Sequence, residues 1–166
     1  MNSEELRDLQ SPLKKKYKAD PGSALITLKA TGNICEGVSC EVETSHGLIK
    51  AGLHPATGGD GSLVCSGDLL LEALVACAGV TLSAVATAIG VKIRNGKISA
   101  EGDLDFRGTL GVSKGVQVGF KNIRIHFQLD SDASADKIES LKTLTERYCV
   151  VYQTLTKGVL IETSYN

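Results

Sequence analysis

The chain has 166 residues, 42% of them hydrophobic and 22% charged, with a formal net charge of −1. That length allows one domain with a sizeable core and no need of disulfide staples. The near-neutral balance excludes a nucleic-acid or anionic-membrane surface as the main partner, and five widely spaced cysteines with no CxxC exclude a secreted disulfide framework and a structural zinc site.

In chain order, residues 3–17 read as a short helix broken at Pro12, with a solvated basic run at Lys14, Lys15 and Lys16. The polar N-terminus lacks the apolar core of a secretory signal, so a cytoplasmic protein with reduced thiols is expected. "DPG" at 20–22 marks a turn. Alternation then predicts strands over 24–30, 37–44 and 48–53, joined as an antiparallel meander through the "SHG" turn. A long loop, 54–66, leads to "DLLLEALVACAGVTLSAVATAIG", a helix over about 68–89 with Ser66 or Asp68 as start signal and Gly90 as stop. Two strands follow over 97–106 and 122–129, linked by a glycine-containing loop. Ser134 heads an amphipathic helix to Tyr148, with Ile138, Leu141, Leu144 and Tyr148 on one stripe. A short helical turn after Cys149 and a last strand over 159–165 complete the chain. The order implies an α+β fold with mostly antiparallel sheet.

The central helix is long enough to cross a bilayer. Glu72 lies inside it, Thr81, Ser83 and Thr87 dilute it, and the amphipathic strands need it as their core, so no membrane is expected. A helix apolar all round must be buried on most sides. A sheet covers one face, and a second copy of the chain is the simplest cover for the other, which argues for a homodimer.

By itself Cys77 reads as a small buried hydrophobe, because a reactive thiol needs an electropositive, partly exposed site. Cys149, 72 residues on in "ERYCVVYQTL", could meet it in space as a resolving partner. His46, His54 and Cys65 fit no zinc spacing, and Cys35, Cys40 and Cys65 read as packing residues. The "GGDGS" stretch lacks the context of a phosphate-binding loop.

"SGDLLLEALVACAGVTLSAVATAIGV" together with "CVVYQTLTKGVLIE" resembles the OsmC/Ohr family of cysteine-dependent hydroperoxide reductases, in its OsmC-like branch. Cys77 matches the cysteine of that family's helix motif. Cys149, Thr154 and Leu155 match a second motif of the form C-P-V-x-x-T-L. The resemblance covers nearly the whole chain and implies one OsmC-like domain over 1–166, with 1–21 as an N-terminal extension. It implies an OsmC-like fold, mostly antiparallel sheets around a long buried central helix, assembled as an intertwined homodimer.

The implied chemistry is a thiol peroxidase without cofactor or metal. Cys77 would attack an organic hydroperoxide and become a sulfenic acid, and Cys149 would resolve it as a disulfide. A dihydrolipoamide-like dithiol reductant would restore both thiols. Two departures stand out. The glutamate that some members carry ten residues before the cysteine is here Gly67, and the proline after the second cysteine is Val150. Asp68 and Glu72 are possible orienting acids, though at about 100° per residue they lie roughly 180° and 140° round the helix from Cys77. Arg147, Lys157 and Lys29 are the candidate activating cations. The alternatives are a non-catalytic protein binding a small apolar ligand at the dimer interface, or a thiol redox sensor.

Overall fold

The computed structural model describes residues 1–165, which form two compact units. The first comprises residues 1–21, 73–99 and 126–165, and the second residues 22–72 and 100–125.

The first unit begins with α1, Ser3–Ala19. The Asn2 side chain accepts the N–H groups of Glu4 and Glu5, and the Glu5 carboxylate accepts the Asn2 N–H at 2.8 Å. This reciprocal cap holds two otherwise unpaired donors. The expected break at Pro12 does not occur, because α1 runs through it. Proline removes one amide donor, whose acceptor would be the Asp8 carbonyl. Asp8 and Pro12 are exposed on one side of α1, where water can serve that carbonyl.

The core of this unit is built on α2, Ser66–Ile89, and α4, Ala135–Tyr148. Leu82, Val85 and Ala86 of α2 cluster with Val91 and Leu141, flanked by Ile138, Leu144, Phe127 and Leu129. α2 stops as expected at Gly90, whose φ is +68°. The Val91 N–H reaches back to the Ala86 carbonyl at 2.8 Å, closing the helix with a left-handed turn that favours glycine. Ser134 stands at the N-cap of α4, but its side chain makes no capping bond there. Leu141 is 0% exposed at the centre of the cluster. Leu141→Ala is therefore expected to cost about 3 kcal/mol, read as a lower midpoint in urea unfolding. An unchanged midpoint would mean that the cluster does not carry the fold.

In the second unit, β1 (Thr31–Cys35), β2 (Ser39–Thr44) and β3 (Gly47–Gly52) form an antiparallel meander with Ile34 opposite Cys40 and Val42 opposite Ile49. A two-residue strand β4, Val64–Cys65, joins β3 in parallel. The expected loop 54–66 is thus interrupted by β4 and by a 3₁₀ turn over Pro55–Thr57.

Two long strands, β5 (Asn95–Leu104) and β6 (Phe120–Asp130), pair as a second sheet. They run antiparallel, since the Arg94 N–H donates to the Asp130 carbonyl while Gly102 lies beside the Asn122 carbonyl. Gly102 has a packing reason to lack a side chain, because a Cβ there would come within 2.5 Å of the Phe120 ring. A one-turn helix α3, Phe106–Thr109, sits in the connection.

Two expected strands are corrected. Residues 24–30 and 159–165 belong to no strand, and Leu25, Ile26, Leu28, Leu160 and Ile161 are exposed. An extended segment becomes a strand only when a neighbour completes its hydrogen-bond ladder, and among the described residues neither segment is paired into a sheet.

Candidate active site

Cys149 sits where two helices meet. It is the C-cap of α4 and the N-cap of α5, Val150–Lys157, with extended backbone angles of −73° and 110°. Its N–H donates to the Thr145 carbonyl and its carbonyl accepts the Gln153 N–H, both at 2.9 Å. That single extended residue redirects the chain, and the first amides of α5 are left without helical acceptors.

Those amides serve Cys77 of α2. Burial is the largest single influence on the Cys77 thiol and pushes its pKa up. Hydrogen bonds from the Val151 N–H, the Cys149 thiol, the Val150 N–H and the Thr81 hydroxyl together outweigh it, and the thiol is more acidic than usual. Cys149 goes the other way. Burial raises its pKa, the N–H groups of Tyr152 and Val151 oppose this, and the negative charge of nearby Cys77 adds to the rise. Cys149 is 1% exposed, whereas Cys77 is partly open, and both are free thiols.

The two cysteines expected from the sequence are therefore within hydrogen-bonding reach of each other. Their environments divide one proton between them, with negative charge favoured on Cys77 and the proton on Cys149. Such an arrangement gives a nucleophile beside a thiol able to attack it after oxidation.

The other candidates are elsewhere. Arg147 lies over the Tyr148 ring, 5.4 Å from its centre. Lys157 is in the last turn of α5, and Lys29 is in the extended segment before β1. None of the three is among the groups that shift Cys77, whose lowered pKa comes from the amides that open α5, the Cys149 thiol and Thr81. Asp68 and Glu72 are exposed and are not among the groups that shift Cys77 within the chain. A Cβ on Gly67 would touch Phe120, Cys65 and Leu104 at 3.5–3.6 Å. His54 accepts the Ala56 N–H at 3.0 Å and stacks on Phe106 at 4.8 Å.

Sequence reasoning missed Thr81, Val150 and Val151. Thr81 could have been found, because it lies four residues after Cys77 and so on the same helix face.

Val150 offers a clean test of the amides. The extended Cys149 suits a following proline, and proline fits the first position of a helix. Val150→Pro should leave α5 intact while removing one donor. The pH midpoint of Cys77 alkylation by iodoacetamide is expected to rise, and a midpoint that stays or falls would contradict the role given to that amide.

Comparison with known proteins agrees with this architecture. The family model described as OsmC-like protein matches residues 59–164. An OsmC-like protein of Mycoplasma pneumoniae is similar in structure, with a TM-score of 0.66, 22% identity, and 81% of this chain and 89% of that one covered. An organic hydroperoxide resistance protein of Elizabethkingia anophelis gives 0.62 at 16% identity, over 81% and 90%. OhrB of Bacillus subtilis, also an organic hydroperoxide resistance protein, gives 0.52 at 22%, over 80% and 92%. No curated protein matches the sequence. With the family's pattern matched over more than half its length and the α+β fold shared with those structures, the chain belongs to the OsmC-like protein family.

Proposed function

We propose that this protein is a cysteine-dependent hydroperoxide reductase acting on organic hydroperoxides. The observation that carries the reading is the Cys77 sulfur held at the first amides of α5, acidic, with buried and protonated Cys149 beside it. Cys77 thiolate attacks the outer oxygen of ROOH. The O–O bond breaks, the leaving alkoxide takes a proton to give ROH, and Cys77 becomes a sulfenic acid. The Cys149 sulfur then attacks the Cys77 sulfur, and loss of water leaves a Cys77–Cys149 disulfide. A dithiol of the dihydrolipoamide kind reduces it by exchange, itself becoming a cyclic disulfide.

The working unit in this reading is a cytoplasmic homodimer of one OsmC-like domain, with residues 1–21 as its extension. Support for the dimer comes from apolar surface left uncovered: Val80 of α2 is 73% exposed, and this long apolar helix buries only the face of Leu74, Ala78, Leu82, Val85 and Ala86. By length and composition alone α2 could cross a membrane. Leu74, Ala78, Leu82, Val85 and Ala86, buried along one face, instead support a helix committed to a protein core.

The test is to add one equivalent of cumene hydroperoxide to the reduced protein. Peroxide should be consumed, two of the five cysteines should lose their thiols, and a Cys77–Cys149 linked peptide should appear. Unconsumed peroxide with Cys77 still a thiol would overturn the reading.

A further inference from the structure

The N-terminal helix α1 has no part in the thiol site, and none of its residues is buried. Isolated helices of about this length are marginal in water. A proline in the interior weakens this one further. Such a helix gains stability by covering an apolar face, and α1 has one. Leu6, Leu9, Leu13 and Tyr17 fall within an arc of about 80° at ~100° per residue, a stripe about 16 Å long. Leu9, Leu13 and Tyr17 are 60%, 48% and 37% exposed.

Charge is unevenly distributed along the helix. Glu4, Glu5 and Asp8, with the single cation Arg7, lie in the first half, and Lys14, Lys15, Lys16 and Lys18 in the second. Glu5 and Lys16 border the stripe on the same side. A helix with this layout is complementary to itself when turned end for end. In a parallel pair, acid would meet acid and lysine would meet lysine.

We propose that α1 is a self-recognition surface on which the α1 helix of a second copy packs antiparallel about a two-fold axis. Leu9 of each copy meets Leu13 of the other, Leu6 meets Tyr17, and Glu5 meets Lys16 at both ends. Antiparallel packing also sets each helix N-terminus beside the other's C-terminus, which favours the two dipoles. The contact is isologous, as a two-fold interface requires. It is independent of the peroxidase reading, since neither cysteine takes part.

The experiment mixes nitrogen-15-labelled and unlabelled full-length protein and treats it with a zero-length carbodiimide, which joins a carboxylate to a lysine in direct contact. Glu5 and Lys16 of one intact helix are about 16 Å apart at ~1.5 Å per residue, too far for such a link. The expected product is a Glu5–Lys16 peptide pair carrying one heavy and one light half. It should be lost in Leu9→Gln/Leu13→Gln, whose peroxide consumption should equal that of the parent. Absence of mixed pairs, or their persistence in that variant, would overturn the proposal. So would sedimentation of the parent, but not the variant, with vesicles containing phosphatidylserine, since the stripe would then be a lipid-binding face.

Discussion

Replacing Cys77 with serine is expected to reduce hydroperoxide consumption by about three orders of magnitude or more, to the background of the reductant alone. A serine hydroxyl stays protonated at neutral pH and its oxygen cannot be oxidised, so neither the attack nor the sulfenic acid is available. The sulfur differs because the α5 amides, the Cys149 thiol and Thr81 favour its charged form against the opposing effect of burial. The parent's rate should climb as pH rises through the lowered Cys77 pKa, because the thiolate fraction climbs there. It should level off at a lower pH than for an ordinary thiol. The same substitution has a second consequence. Burial still raises the Cys149 pKa, but the part due to Cys77 is removed, so Cys149 in Cys77→Ser should ionise at lower pH than in the parent. Peroxide loss in a dithiol-coupled assay and alkylation against pH measure the two effects. Consumption that survives in Cys77→Ser would move the chemistry to another cysteine.

The parts of the molecule legible in its sequence were those fixed by local periodicity. Gly90 ended α2 because a left-handed residue is needed there, and the stripe of Ile138, Leu141 and Leu144 packed onto that helix as its spacing requires. Other features depend on neighbours that the alternation of residues does not name. "ALITLKA" and "VLIETSY" have strand-like patterns, yet neither joins a sheet of the described chain. Parallel pairing of β4 with β3 rests on two residues, too short to leave a pattern. Pro12 reads as a helix break, and only its place on the exposed side of α1 makes it tolerable. The resemblance singled out Cys77 and Cys149, which the structure brings together, whereas the groups that shift the Cys77 thiol were sought among arginines, lysines and carboxylates. Backbone amides have no letter of their own. Their presence follows from the extended Cys149, which turns the chain between α4 and α5 and exposes the first N–H groups of the next helix.

Cys149→Ser should separate oxidation from turnover. Cys77 remains beside the α5 amides, and a serine hydroxyl at 149 can still donate towards it, so the first equivalent of peroxide should react nearly as fast as in the parent. No disulfide can follow. One thiol per chain should be lost in place of two, and dimedone should trap the Cys77 sulfenic acid in the variant but not in the parent. Steady turnover with a dithiol is expected to fall by about two orders of magnitude, because the reductant must then attack the sulfenic acid directly at a partly closed site. Excess peroxide should carry the exposed intermediate on to the sulfinic acid and inactivate the variant irreversibly. Cys149→Ala distinguishes the two duties of this residue: it removes the resolving sulfur and also a donor to Cys77, so its first oxidation should be slower than that of Cys149→Ser. Equal first-step rates in the two variants would mean that the Val150 and Val151 amides alone hold the thiolate. Undiminished turnover in either would mean that the external dithiol resolves Cys77 itself, leaving Cys149 to set the acidity of its neighbour and the corner from which α5 begins.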